Sequence, residues 1–243
     1  MSERADPCVS VVLPTYKEAE NLTTLVDRIA ATLVACNVTY EIIVVDDDSD
    51  DGTEAIMQRL AQRGAPISLI LRRGVRDLST AVVSGFSQAT GQVLVCMDAD
   101  LSHPPEALRD IVRAMTTSHA DCCIASRYTK GGSAGEGWAW HRYLNSWAGI
   151  AAARIWTSVS DPMSGYFAVT RSALDSARPL NPIGFKILLE LLVKCPLKNI
   201  HEVPILFAPR ASGRSKLNLR QKWNFLRHLF RLVCFTLGSS PRG

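Results

Sequence analysis

A chain of 243 residues that is 47% hydrophobic and 21% charged is long enough to bury a full core and too apolar to be a disordered polymer. Its longest apolar candidates, 143–153 and 232–241, fall short of the ~18 residues a membrane span needs, and its polar start is no signal peptide, so the chain is expected to stay where it is made. The net charge of +4 is uneven: Glu202 is the last acidic residue and eight Lys and Arg follow it, leaving −4 for the first 202 residues. A basic tail of this kind suits an anionic surface. It carries no recognisable nucleic-acid-reading motif, so a membrane surface is the expected partner and nucleic acid is not. Seven cysteines without a Cys-x-x-Cys pair or metal-ligand spacing read as reduced core thiols.

In chain order, Val9 to Leu13 reads as a strand ended by Pro14-Thr15-Tyr16. Leu22, Leu25, Val26, Ile29 and Leu33 then recur at helical spacing. Further strands are predicted over Glu41–Val45, Ile67–Leu71, Val93–Met97 and Cys122–Ala125, with helices over Leu78–Ala89 and Glu106–Met115 between them. This alternation predicts an α/β fold: a mostly parallel central sheet flanked by helices. From about Lys130 the rhythm changes. GGSAGEG reads as a loop, a Trp- and Ala-rich helix follows with most of its aromatics in the core, and Asp161 to Phe167 turns into a strand. Phe185–Val193 reads as a short apolar helix and His201–Phe207 as an edge strand, because Pro204 lacks a donor. The last predicted helix, Leu217–Leu237, places Leu219, Trp223, Leu226, Phe230, Val233 and Leu237 on one face and Arg220, Asn224, Arg227 and Arg231 on the other. It suits either an interfacial helix on anionic lipid or a helix docked on the body or a partner. The expected organisation is a catalytic unit over 1–216 and a basic amphipathic tail over 217–243.

Polar clusters fall where the strands end: Thr15 to Glu18, Asp46 to Asp51, Asp98 to Ser102 and Ser126 to Tyr128. Ligands of such sheets sit at that rim. Asp98 and Asp100, two residues apart after a buried strand, are candidates to hold one hard divalent cation with positions left open for phosphate oxygens. The first turn, PTYKEAEN, has no glycine, so a dinucleotide fingerprint is absent.

The motifs LPTYKE, VVDDDSDDGT, DLSTAVVSGF, MDADLSHPPE, ASRY, DPMSGYF, NPIGFKILLELL and ASGRSKL, in this order over roughly 8 to 220, resemble the inverting family-2 glycosyltransferases of GT-A (Rossmann-like) fold. Within them the chain looks most like the polyprenol-phosphate mannosyltransferases. The resemblance implies donor-binding roles for Pro14, Tyr16, Glu18, Asp46 and Asp47, and a metal site for Mg²⁺ or Mn²⁺ at Asp98 and Asp100. Ser102, which stands where some relatives carry Gln, is a weaker third metal candidate. It implies that Arg127, Arg142, Ser146, Arg210 and Lys216 hold an acceptor phosphate, with Asp98, Asp100 and Arg127 in the catalytic set. The implied reaction is transfer of mannose from GDP-mannose to dolichyl or polyprenyl phosphate with inversion, on the cytoplasmic face of a membrane, the chain sitting there peripherally by its own tail or through a membrane-anchoring partner. A phosphate acceptor needs no general base because its second pKa lies near ~6. A hydroxyl acceptor would need one, and Asp161 or Glu190 would have to supply it. Open alternatives are a UDP-glucose donor, a polysaccharide acceptor, and a non-enzymatic subunit that binds nucleotide sugar. Lys17 replaces the Asn usual in the first turn, and Asp77 replaces a common Gly, adding a negative charge near the donor diphosphate. Asp100→Ala and Arg127→Ala are each expected to remove most transfer activity without unfolding the chain.

Overall fold

The computed structural model describes residues 8–135, 147, 149–208 and 219–238, with no side-chain description for 219, 220 and 222. Seven strands form one sheet: β1 (Val9–Thr15), β2 (Tyr40–Asp46), β3 (Ile67–Leu71), β4 (Val93–Cys96), β5 (Cys122–Ser126), β6 (Phe167–Thr170) and β7 (Ile200–Pro204), in spatial order β3-β2-β1-β4-β6-β5-β7. The β1–β2, β2–β3, β1–β4 and β5–β7 pairs are parallel. Only β6 runs antiparallel to both neighbours. The expected edge strand is at the edge, as β7 with Pro204 at its end.

The strands are buried on both faces, which is why they read as unbroken Val, Ile and Leu runs. Val9, Val11, Leu13, Ile42 and Val44 face α1 (Ala19–Ala35) and α4 (Leu108–Thr117), while Val12, Ile43 and Val45 face α3 (Leu78–Gln88) and α6 (Ile187–Lys194). Gly85 of α3 rests directly on β1: a Cβ there would lie 2.3 Å from Val12 Cγ1, so the helix can sit this low only without a side chain. Two further helices are α2 (Thr53–Gln62) and the short α5 (Arg171–Asp175).

Two features position the site. The chain leaves β1 toward β2 and β3 on one side and returns as β4 on the other, so the β1 and β4 carboxyl ends flank a topological switch point, where such sheets bind ligands. The last helix, α7 (Leu219–Gly238), packs on the body through Phe225, Leu229 and Leu232, which join Met163 and Leu189 in a separate apolar cluster, and through the buried His228, which meets Glu190. The predicted apolar stripe is therefore not the docking face. Trp223, Leu226, Phe230 and Leu237 point outward, 57 to 74% exposed. Trp147, expected in the core, is 67% exposed, and Trp138 and Trp140 lie outside the described residues. No described helix is long and apolar enough to cross a membrane.

Candidate active site

On the β1–β2 side the acidic cluster is divided by function. Asp46 accepts from the backbone N–H and the hydroxyl of Ser49, and Ser49 Oγ in turn accepts from Lys17 N at 2.8 Å, which ties the first two rim turns together. Asp47 Oδ1 lies 2.9 Å from Arg72 Nε, and its Oδ2 accepts from Asp77 N at 2.9 Å. Burial raises the Asp47 carboxyl above its ordinary range, against the pull of Arg72. Asp51 is structural, accepting from Ala19 N and from the N–H and hydroxyl of Thr53. Glu18 is buried and accepts from Asn21 Nδ2 at 3.0 Å, so it closes the start of α1. Tyr16 carries the Arg76 guanidinium 4.0 Å from its ring centroid and follows Pro14 and Thr15 at the end of β1. The five predicted donor-side residues thus share one corner of the rim.

Asp98 and Asp100 sit in the turn after β4 rather than on the strand, which stops at Cys96. The pleat therefore does not orient them; the turn does. Asp98 N donates to His103 Nδ1 at 3.3 Å, and Asp100 Oδ1 accepts from Ser102 N at 3.1 Å and from the Ser102 hydroxyl. Leu101 between them takes φ +60 to make the bend. His103, packed on Tyr166 and Phe207, is pushed down to about 4, chiefly by burial, so it is neutral and accepts the Asp98 amide with the proton on Nε2. Ser102, the weaker metal candidate, is fully buried with its hydroxyl proton given to Asp100. It holds the carboxylate in place. Gly165 shapes the other wall: a Cβ there would fall 3.0 Å from Asp98 Oδ2. Two carboxylates on one turn form an oxygen donor set that fits a hard cation such as Mg²⁺ or Mn²⁺, with its remaining positions for phosphate oxygens. Among the described residues no group of three or more His, Cys, Asp and Glu is placed to hold a metal, so a ligand would have to complete the shell.

Arg127, just after β5, grips Asp161 with one edge of its guanidinium: Nε to Oδ2 at 2.7 Å and Nη2 to Oδ1 at 2.8 Å, with Arg127 N also on Oδ2 at 3.1 Å. Asp161 has no solvent exposure. Burial pulls the guanidinium down, but the bonds and charge of Asp161 outweigh it and hold its pKa above the usual value. A second cation, missed by sequence reasoning, stands beside this pair. Lys186 Nζ donates to Met163 O at 2.7 Å and is pushed down to about 8 by burial and by Arg127, with Asp161 and Asp98 opposing. The signal was present in the sequence, a lone cation opening the apolar run of FKILLELL. Of the remaining predicted acceptor residues, Arg142, Ser146, Arg210 and Lys216 lie outside the described residues.

Residues 10–177 match the family Glycosyl transferase family 2. The chain belongs to this family. A glycosyl transferase family 2 relative, the dolichol-phosphate mannosyltransferase of Pyrococcus furiosus, is 44% identical over 229 residues, covering 93% of this chain and 63% of that protein. The chain thus spans a little under two thirds of that relative's length. The dolichol-phosphate mannosyltransferase of Mycosarcoma maydis is 38% identical over 99% of this chain and 84% of its own. Among solved structures, a mannosyltransferase from Pyrobaculum calidifontis in complex with GDP-Man and Mn²⁺ superposes with a TM-score of 0.64 at 18% identity, over 97% of this chain and 66% of that one, which shows the shared fold.

Proposed function

We propose that this family-2 glycosyltransferase moves mannose from GDP-mannose to a dolichyl or polyprenyl phosphate with inversion, giving a polyprenyl β-mannosyl phosphate. The observation that carries the acceptor class is the state of the two carboxylates a hydroxyl acceptor would need. Both oxygens of Asp161 are taken by Arg127, and both oxygens of Glu190 are taken by Asn181 N, Lys194 Nζ and His228 Nε2. A phosphate monoester is mostly dianionic at neutral pH and needs no such base. Its oxygen attacks the anomeric carbon, the bond from that carbon to the diphosphate oxygen breaks, and GDP leaves with the electron pair. The names of the curated relatives give the same sugar, mannose, and the same acceptor class, dolichol phosphate.

In this reading Pro14, Tyr16, Glu18, Asp46 and Asp47 hold the nucleoside. Asp98 and Asp100 would hold Mg²⁺ or Mn²⁺, which when bound offsets the charge growing on the leaving diphosphate. Arg127 and Lys186 add fixed positive charge beside it, and Arg127, Arg142, Ser146, Arg210 and Lys216 receive the acceptor phosphate. The outward face of α7, Trp223, Leu226, Phe230 and Leu237 beside Arg227 and Arg231, suits peripheral seating on an anionic leaflet, directly or beside a membrane-anchoring subunit, and so presents the rim to a lipid substrate. Nucleic acid has no part in it. The test pairs GDP-mannose or UDP-glucose with a short-chain polyprenyl phosphate or the matching free alcohol, with and without each metal. Product is expected from GDP-mannose and the phosphate alone; product from the neutral alcohol overturns the reading.

A further inference from the structure

Asp77 is placed by nothing above in the binding machinery, yet its polar groups reach three separate segments. Its backbone N–H donates to Asp47 Oδ2 at 2.9 Å. One carboxylate oxygen, Oδ1, accepts from Thr80 N at 3.0 Å and caps α3. The other, Oδ2, accepts from Gly184 N at 2.6 Å, 107 residues further along the chain. Gly184 answers by accepting from Ser79 N at 2.9 Å, which closes a two-bond clasp between the start of α3 and the 181–186 loop. Gly184 takes φ +85, a conformation that keeps the loop in this path and that glycine adopts without strain. Two residues on is Lys186, beside Arg127 and Asp161. On the nucleoside side, Arg72 lies 2.9 Å from Asp47 and donates to Asp77 O at 3.3 Å and Thr80 Oγ1 at 3.0 Å.

Capping a helix uses one acceptor oxygen. The bond to Gly184 is surplus to that need, and the charge that sequence reasoning set against the donor diphosphate is spent on two backbone N–H groups. We propose that Asp77 is a positioning residue that links the nucleoside acid Asp47 to the 181–186 loop, so that nucleotide capture and the placement of Lys186 become one event. The proposal rests on the nucleotide-sugar reading of the rim. Coupling of this kind is reciprocal: a nucleoside that fixes Asp47 also fixes the loop.

The test compares the full chain with Asp77→Ser, which keeps an N-cap acceptor but is too short to reach Gly184, and Asp77→Asn, whose single acceptor oxygen can serve Thr80 or Gly184 but not both. Hydrogen exchange of the 181–187 backbone is followed with and without GDP and Mg²⁺, beside GDP affinity and transfer kinetics. In the unaltered chain GDP is expected to slow exchange at 183–186. In Asp77→Ser that protection vanishes, GDP still binds, and kcat falls about ten- to a hundredfold, the order of loss when a group beside the reacting centre is misplaced; Asp77→Asn lies between. Protection that survives in Asp77→Ser overturns the coupling and leaves the nucleotide reading intact, as does an unaltered chain that binds GDP without protecting the loop. An unaltered chain that binds no GDP overturns both.

Discussion

Two buried carboxylates in this protein are each wrapped by cations, and they do opposite things. At the rim, Asp161 is gripped by Arg127 with Lys186 close by, so two positive charges gather near Asp98. Beneath α7, Glu190 takes one cation, Lys194 at 2.7 Å, together with the ring of His228 at 2.9 Å and the amide of Asn181. Burial pushes Glu190 up, and these three partners outweigh it and hold it below the usual carboxylate range. That constellation is closed on itself and fastens a helix, although a cavity of about 440 Å³ opens beside it between α6 and α7. Both structural ion pairs and functional sites hold perturbed groups, so burial and pairing alone do not separate these two regions.

The largest effect that breaks this contrast comes from Arg127. Arg127→Ala removes a cation from the transfer site and strands Asp161, whose side chain is fully buried. Breaking one partner of a buried pair costs about 3–5 kcal/mol. Transfer is expected to vanish and the melting temperature to fall. From sequence alone the substitution is expected to leave the chain folded; the buried pair adds a stability cost to that expectation. Asp100→Ala is expected to lose activity at a smaller cost in stability, about 1–3 kcal/mol, because the buried N–H and hydroxyl of Ser102 lose their acceptor. Melting curves beside initial rates of both variants separate the two.

At the second carboxylate the expected order reverses. Glu190→Ala should cost about 3 kcal/mol of stability, because Lys194 is left unpaired in a site where its side chain is 8% exposed. GDP affinity should not move. Replacing the constellation together, Glu190→Leu, Lys194→Met and His228→Leu, should recover most of the loss, since well-packed apolar groups often match a buried ion pair. The same exercise at the rim, Arg127→Met with Asp161→Leu, should recover folding and not transfer. Transfer in that double variant would erase the distinction between the two regions.

A subtler test uses Lys186. Burial first, then repulsion from Arg127, holds its ammonium down to about 8. The group is charged below that value and neutral above it, so any step that uses its charge weakens as pH rises past about 8. Above that pH, kcat/KM should fall about tenfold per unit, as for loss of one essential proton. Lys186→Arg, whose charge persists, should flatten this limb. A limb unchanged by the substitution would take Lys186 out of the transfer chemistry.

What was legible in the sequence follows the same division. The β1 to β5 half alternates regularly, its strands are continuous apolar runs, and its polar residues collect at one rim, so its strands, three of its four longer helices and the polar rim could be read directly, while α2 (Thr53–Gln62) went unread. Beyond Lys130 the contacts are between distant residues. Strand β6 is four residues long and inserts antiparallel between β4 and β5, a pairing that no local pattern encodes. The grip of Arg127 on Asp161 spans 34 residues, and the clasp of Asp77 on Gly184 spans 107. On α7 apolar residues occupy both the inward and outward faces, so periodicity could not say which one docks. The buried His228–Glu190 bond decides it, and its partners lie 38 residues apart.

The smallest expected effect belongs to the donor corner. Lys17 sits at φ +57, in the left-handed region where a side chain with a Cβ costs roughly 1–2 kcal/mol and where Asn is better tolerated. Its amide is nonetheless fixed, donating to Ser49 Oγ at 2.8 Å, so the turn must keep this shape. Lys17→Asn should therefore raise stability by about 0.5–1 kcal/mol, as a substitution that fits an existing backbone conformation does. GDP affinity should stay within about twofold, because the backbone that holds Tyr16 and Glu18 does not move. If instead affinity drops while stability rises, Lys17 contributes its charge to the bound nucleotide, and the donor corner adds a third cation to Arg72 and Arg76.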